Sequence, residues 1–442
     1  MGNKMESIVA KFGGSSLADA GQIRKVIKII EADDARRLIV PSAPGKRYPE
    51  DTKVTDMLYA AYEAANTGGD LDGIMNKISA RFAEIRDGLK ISFNIEKHIY
   101  RIKEDLKNGA SEEYAASRGE FLNGMLLASK LGCKFIDAAD VIHFDRRGRY
   151  VEAETKNDIR QWMSGAKRAV LPVFYGSMPD GEIKTFSRGG SDVTGAIAAS
   201  AINAKIYENW TDVDGIRMTD PRIVADAEKI DVITYKELRE LSYMGASVLH
   251  EDAIFPVYQA AIPINVRNTN NPGEMGTMIV PETDVREGDS HVTGIAGKKG
   301  FTVLSIEKNG MNAELGFGRK VLACVEKYGL PFEHMPSSID SLCVVLEDAR
   351  AGENIGNIVD DIHRSCEPDS VEVIGHMALI ATVGRGMISN VGTAAKIFVA
   401  LAEEKINIRM IDQGSSEMNI IVGVETADFE RAIRAIYHAF RK

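Results

Sequence analysis

Cysteine is scarce in this chain: four in 442 residues, Cys133, Cys324, Cys343 and Cys366, with no C-x-x-C pair. Such spacing supports neither a zinc site nor a disulfide framework, and the four read as buried thiols of a reducing compartment. Long apolar runs are missing as well, so neither a secretory signal nor a membrane span is expected. Met1-Gly2 fails as a myristoylation signal because Glu6 stands where Ser or Thr is required. A cytoplasmic protein is expected. The formal net charge is −10 and no basic run carries interleaved aromatics, which argues against nucleic acid and anionic membranes as partners. No Walker A pattern, protein-kinase motif set or G-x-G-x-x-G fingerprint occurs, so nucleotide chemistry would need another kind of phosphate site. Asp212-x-Asp214-Gly215 lacks the remaining EF-hand ligands, and no metal site is expected.

What is present fits a soluble globular protein of two or three domains, with 44% hydrophobic and 27% charged residues. A short apolar strand from Ile8 runs into Lys11-Phe12-Gly13-Gly14-Ser15-Ser16 and then a helix from about Gln22. Adjacent glycines let the backbone approach a ligand, the next helix's first N–H groups favour an anion, and Lys11 adds a cation, so phosphate is the natural guest. An ordinary βα turn remains the plain alternative. A second strand, Leu38–Val40, ends in Pro41-Ser42-Ala43-Pro44-Gly45, and Thr55-Asp56 opens a further helix. Residues 71–106 read as amphipathic helix with little chemistry. Glu120 falls inside a helix over Glu112–Leu131, where a solvated carboxylate is the usual outcome.

Strands are expected at Val141–Phe144 and, as a central one buried on both faces, at Ala169–Tyr175. A second glycine-rich helix start follows in Arg188-Gly189-Gly190-Ser191-Asp192. Arg188 offers a planar fork for carboxylate or phosphate, and Asp192 can cap its helix or face an ammonium. The next strand ends in Thr211-Asp212, so polar residues again collect at a carboxyl end, where open α/β sheets bind ligands.

These segments, with Gly119-Glu120, Asp220-Pro221-Arg222, Val248-Leu249-His250 and Asn268-Thr269, resemble the aspartate kinases of the amino-acid kinase superfamily, in the family's order and over nearly the whole chain. The resemblance implies transfer of the γ-phosphoryl group of MgATP to the side-chain carboxylate of L-aspartate. The product would be 4-phospho-L-aspartate, the first step toward lysine, threonine and methionine. An ionised carboxylate needs no general base, which suits a chain in which no histidine stands out. Carried over by position, Lys11, Arg188 and Asp192 would be catalytic. Ser42, Thr55, Glu120, Arg188, Gly189, Gly190 and Ser191 would hold aspartate, with Glu120 and Asp192 near its ammonium. Lys11, Gly13, Gly14, Ser15, Thr211, Asp212, Arg217, Arg222 and Ser247 would face the nucleotide, whose phosphates would carry most of the Mg²⁺. Arg217 stands where an aromatic residue is common, Ser247 where lysine is common, and Asn123 replaces a small Ser after the Gly-Glu pair. A catalytically dead sensor and a kinase for another acid are the alternatives. Intact Lys11, Arg188 and Asp192 argue against the first, and Glu120 against the second.

The expected fold is α/β: an open sheet sandwiched by helices over residues 1–285, a linker over 286–300, and two ferredoxin-like βαββαβ units over 301–375 and 376–442. Whether C-terminal residues complete the first unit is left open. Ser337-Ser338 and Ser415-Ser416 mark equivalent points of this internal repeat. The pair resembles tandem ACT domains, commonly interleaved with the second inserted into the first. That implies an amino-acid effector near Met311, Gly316, Phe317, Ser337 and Ser338, and a homodimer or dimer of dimers through these units. Lysine is the leading effector, with threonine open. A purely structural dimerising role is the alternative.

Overall fold

Val9, Ala10 and Phe12 have no exposed surface, and β1 (Ile8–Phe12), the strand they build, lies in the middle of an eight-stranded sheet. All five residues are buried, as in a strand covered on both faces. The structure, a computed structural model, describes residues 6–187, 189–246, 249, 251–281 and 292–441, the side chains of 251–253 excepted. Among these, 6–216, 229–235 and 249–281 form one compact unit, and 217–228, 236–246 and 292–441 a second. No helix among the described residues is long and apolar enough to cross a membrane.

In the first unit α1 (Ala20–Glu31) leads to β2 (Arg36–Pro41), then to the helices α2 (Val54–Thr67), α3 (Leu71–Leu89), α4 (Ile95–Lys107) and α5 (Glu112–Leu131). There follow β3 (Lys134–Phe135), α6 (Ala138–Val141), α7 (Glu152–Met163), β4 (Ala169–Val170), a hairpin of β5 (Tyr175–Ser177) and β6 (Ile183–Thr185), α8 (Gly190–Ala201) and β7 (Ile206–Thr211). The last elements are β8 (Val232–Thr234), α9 (Tyr235–Tyr243), α10 (Glu251–Gln259), β9 (Ile264–Asn268) and β10 (Thr277–Val280), α9 passing into the second unit after Tyr235. The sheet order is β3-β4-β2-β1-β7-β9-β10-β8. Every neighbouring pair is parallel except β9 with β10. On the face of β7 opposite Asn209, Glu208 takes a two-pronged hydrogen bond from Arg36 (2.7 and 3.0 Å) and one from the Trp210 indole (2.8 Å), which satisfies a buried carboxylate.

Three expectations are corrected here. The central strand over Ala169–Tyr175 does not form: after β4 the chain meets Pro172, which has no N–H for a ladder, and Phe174 takes a positive φ of 85° that turns it away from the sheet. Residues 138–141 are helix, leaving only isolated bridges at His143 and Phe144. The glycine turn does not open directly into α1. A 3₁₀ turn over Gly14–Leu17 intervenes, and Asp19 caps α1 by accepting the Gln22 N–H at 2.9 Å.

The helical stretch that looked chemically plain holds the glycine turn in place. Arg81 of α3, 4% exposed, donates to the carbonyls of Ala18 (2.9 Å) and Gly45 (2.8 Å) and to Asp51 (2.7 Å). Arg47 also grips Asp51, so hydrogen bonds from Arg47 first, then Arg81, hold that carboxyl well below the usual range. Arg81→Ala would take its donor from two carbonyls and leave the buried Asp51 carboxylate to Arg47 alone. A loss of roughly 3–5 kcal/mol is expected, read as a lower denaturation midpoint for the first unit; a midpoint equal to the parent's would refute it.

The second unit is built on two long strands, β11 (Gly294–Glu307) and β13 (Ser370–Val383), paired antiparallel along their length. Between them lie α11 (Phe317–Glu326), β12 (Ser341–Glu347), α12 (Asp348–Ala351) and α13 (Asn354–Cys366); beyond them α14 (Thr393–Glu403), β14 (Met410–Asp412), β15 (Asn419–Glu425) and α15 (Phe429–Phe440). Residues 301–307, β12 and 370–377, with bridges from His334 and Ser337 onto β12, make one βαββαβ unit. Residues 378–383, β15 and β14 make the other, whose fourth strand is 294–299. The βαββαβ unit of 301–377 is thus inserted into the one made by 294–299 and 378–440, the reverse of the expected interleaving. Residues 294–300, expected as linker, are strand, while Glu282–Ser290 lies outside the described residues. Cys324 and Cys366 are buried, whereas Cys133 and Cys343 are only partly so.

Candidate active site

Strands β2, β1, β7 and β9 lie side by side and parallel, so their carboxyl ends bring Ser42, Gly13-Gly14-Ser15, Thr211-Asp212 and Asn268-Thr269 to one edge of the sheet. Gly45 N–H donates to the Gly14 carbonyl at 2.9 Å, and a Cβ on Gly45 would stand 2.6 Å from the Gly14 carbonyl carbon. Only glycine permits that approach of two backbones. The Gly13 N–H is already committed to the Trp210 carbonyl at 3.0 Å, continuing the β1–β7 ladder, so it is not the phosphate donor expected of it. Ser42 donates its N–H to the Phe12 carbonyl (3.0 Å) and accepts the buried Asn123 amide (2.7 Å), which is what a larger residue at 123 contributes.

Lys11 is 7% exposed. Its ammonium donates to Asp192 Oδ1 at 2.5 Å and to Asn209 Oδ1 at 3.3 Å, and Asn209 Nδ2 donates to the same Asp192 oxygen at 3.0 Å. Asp192 therefore does not cap α8, whose N-cap is Gly189 with a φ of 59°. The two glycine-rich turns meet through this triangle of charge-assisted hydrogen bonds.

Beside it lies a cavity of about 340 Å³ lined by Thr55, Glu120, Phe174, Gly189, Gly190, Ser191 and Asp192. Phe174 keeps its unusual backbone by donating its N–H to Thr194 Oγ1 (3.0 Å) and accepting from Phe186 (3.0 Å). A Cβ on Gly190 would strike its ring at 2.6 Å. Glu120 is not the solvated helix carboxylate its position suggested: it is 5% exposed and Oε2 has no hydrogen-bond partner. Burial pushes its carboxyl up to about 8, against the lowering effects of backbone hydrogen bonds and the Arg118 charge. A carboxyl that lines a small cavity and has one oxygen without a donor suits a cationic guest.

The structure thus gathers Lys11, Asp192, Thr55, Glu120, Gly189, Gly190 and Ser191 around one cavity and its wall. Arg188 and Ser247 lie outside the described residues. Ser15 and Asp212 are exposed at the strand ends, with Thr211 Oγ1 donating to Asp212 at 3.1 Å. Arg217 and Arg222 belong to the second unit, where Arg217 donates to the Ala227 carbonyl (3.2 Å) and Arg222 pairs with Asp220 (2.6 Å). In that unit buried Met311 and Phe317 flank Gly316, and Asn312 N–H donates to the Ile339 carbonyl at 3.1 Å, next to Ser337 and Ser338. Glu314 in this loop pairs with Lys308 (2.7 Å) and Lys320 (2.6 Å). Asn209, Phe174 and Arg81 are the residues that motif reading missed, and Asn123 stands out only as a departure from the family's pattern. A polar side chain among the buried residues of β7 was the one available signal, for Asn209.

Residues 6–268 match the model of the amino acid kinase family, and residues 380–440 that of an ACT domain. Aspartokinase 3 of Bacillus subtilis is 38% identical over 98% of both chains. Among solved structures, the Clostridium acetobutylicum aspartate kinase superposes with a TM-score of 0.88 at 51% identity, over 99% of this chain and all of that one. Escherichia coli aspartokinase III, solved in complex with aspartate and ADP, gives 0.75 at 26% identity, over 98% and 99% of the two chains; its complex with lysine and aspartate gives 0.72. A cavity beside the Lys11–Asp192 pair, a lysine joining two glycine turns and these full-length matches lead to one conclusion: the chain belongs to the amino acid kinase family, among its ACT-bearing aspartate kinases.

Proposed function

We propose that this protein transfers the γ-phosphoryl group of MgATP to the side-chain carboxylate of L-aspartate, releasing ADP and 4-phospho-L-aspartate. The observation that carries this reading is the buried, partnerless Glu120 oxygen in a cavity whose wall holds the Lys11–Asp192 pair. Glu120 would take the substrate's α-ammonium. Arg188 would take the α-carboxylate, and Thr55, Ser42 and Ser191 would add hydrogen bonds. Asp192 and Asn209 hold the Lys11 ammonium, so Asp192 serves chiefly to aim Lys11 at the transferring phosphate, alongside the Gly14–Ser15 turn. The substrate carboxylate attacks phosphorus, the bond to the β-phosphate oxygen breaks, and no proton need move. Mg²⁺ arrives on the nucleotide phosphates. The kinase domain would extend to about residue 283 and the interleaved ACT pair over 294–440. Lysine, bound near Met311, Gly316, Phe317, Ser337 and Ser338, would act as feedback effector on a cytoplasmic homo-oligomer.

ATP-dependent hydroxamate formation tests the reaction and the effector together. Turnover is expected with aspartate and not with N-acetylglutamate, and added lysine is expected to reduce it by roughly 5- to 150-fold through a coupling of ~1–3 kcal/mol. Absence of turnover on every acid would sink the reaction, and activity that stays flat to saturating lysine would sink the effector.

A further inference from the structure

Parallel register places Asn209 of β7 directly opposite Lys11 of β1. The asparagine is 4% exposed, and its neighbour in register on β9 is the apolar Val266. Alternate residues of a strand share a face, so Tyr207 stands on the same side. Its hydroxyl donates to the Asp192 carbonyl at 3.3 Å. A Cβ on Gly195 would lie 2.3 Å from that hydroxyl, so the glycine admits the contact. One strand thus touches the first turn of α8 twice, at its backbone through Tyr207 and at its carboxylate through Asn209.

The amide satisfies both ions in one orientation only. Oδ1 accepts from the Lys11 ammonium at 3.3 Å, and Nδ2 donates to Asp192 Oδ1 at 3.0 Å. Reversed, it would set N–H against ammonium and oxygen against carboxylate. Asparagine serves here because it carries a donor, an acceptor and no charge. An ammonium has three N–H groups, of which Asp192 takes one at 2.5 Å and Asn209 a second. A four-carbon side chain held by one partner can pivot about that contact. Held from α8 and β7 together, its nitrogen has one position and its third N–H one direction.

We propose that Asn209 is a positioning residue for phosphoryl transfer, one that fixes Lys11 from a second side and so aims its remaining N–H at the transferring group. This role rests on the reading that the site transfers a phosphoryl group. Asn209 is outside the residues that line the aspartate cavity, so its loss falls on kcat and spares the substrates' own ligands. A misplacement of about 1 Å in a catalytic group can cost about 10²-fold in rate.

Full-length Asn209→Leu and Asn209→Asp test it. Leucine has nearly the size of the amide and neither polar function, and it is expected to lower kcat roughly 10- to 100-fold with both KM values within about threefold. The charged and titratable side chains that meet position 209 are Lys11 from β1 and Asp192 from α8, with Tyr207 beside it on β7. An aspartate at 209 would set an oxygen against Asp192 where the amide now donates at 3.0 Å. Two carboxylates so close share a proton, which raises one apparent pKa of the pair. Protonated, the new carboxyl copies the amide, giving O–H to Asp192 and an oxygen to Lys11. Ionised, it repels Asp192 and neutralises Lys11. The kcat of this variant at saturating substrates is expected to fall as pH rises, in a step that the parent lacks, and to recover when the same sample is returned to low pH, which separates the effect from misfolding. A leucine variant with kcat within twofold of the parent's, a leucine variant whose kcat and KM values worsen equally, or an aspartate variant with the parent's pH profile would overturn the proposal. If the parent turns over no acid, the proposed reaction fails, and a crystal structure of the leucine variant decides the positioning role: a displaced Lys11 ammonium supports it, and an unmoved one overturns it.

Discussion

Replacing Lys11 by Met is expected to lower kcat by roughly 10²–10³-fold while changing the aspartate KM only a few-fold. The expectation follows from where the ammonium is held. Asp192 and Asn209 fix it at the junction of the two glycine turns, on the wall of the cavity and outside its lining. A fixed cation there costs nothing to organise when charge develops on the equatorial oxygens of the phosphoryl group, and it would give little to a substrate whose ammonium and carboxylate, on the proposed reading, are bound elsewhere. Methionine keeps the length of the side chain. It leaves Asp192, partly exposed, with the Asn209 amide as its remaining side-chain donor, so the fold should survive with a modest loss of stability. Retained kcat with a raised KM would mean that Lys11 binds and does not assist transfer.

The same triangle shows what motifs can and cannot reveal. Lys11-Phe12-Gly13-Gly14 and Gly189-Gly190-Ser191-Asp192 were each visible as glycine-rich helix starts, because a close backbone approach demands glycine and leaves a local mark. Their meeting was not visible. It depends on Asn209, 198 residues from Lys11, on a strand whose neighbours arise only from the sheet order. Glu120 was found by resemblance, whereas its burial is a tertiary fact that helical position alone misjudged. Phe174 escaped because a positive φ in a bulky residue follows from its surroundings, here the Thr194 hydroxyl and the packing under Gly190, and not from propensity.

In the second unit the repeat was legible because each half carries its own strand–helix pattern. Its interleaving was not, since strand 294–299 finds its partner at 378–383, beyond the whole first half. Periodicity reports which segments are strands and says nothing of such distant register. The assignment of 217–228 to the second unit was hidden for the same reason: its anchors are a tyrosine and two arginines more than 200 residues later.

Glu120→Gln is expected to raise the aspartate KM by roughly 30-fold or more, and to remove a pH dependence that the parent protein shows. With its carboxyl pushed up to about 8 by burial, Glu120 is largely protonated at pH 7 before substrate arrives. On the proposed reading the α-ammonium of aspartate would supply the partner that Oε2 lacks and favour the ionised form, so binding would release a proton between the lowered value of the complex and about 8. Affinity must then rise with pH, by up to about tenfold per unit, and level off above 8. Stability runs the other way. The folded value lies above the ordinary 4.5, so between the two the native protein holds a proton that the unfolded chain has lost. The group's contribution is complete below about 4.5 and declines as pH rises toward 8. Glutamine is neutral throughout, so the variant's melting temperature should show a smaller fall over that interval, and at pH 8 it should match or exceed the parent's. Aspartate KM and thermal midpoints between pH 5 and 9 decide the matter. A parent KM that is flat from pH 6 to 8, or a glutamine variant with the parent's slope, would place the ammonium on another residue and return Glu120 to a structural role.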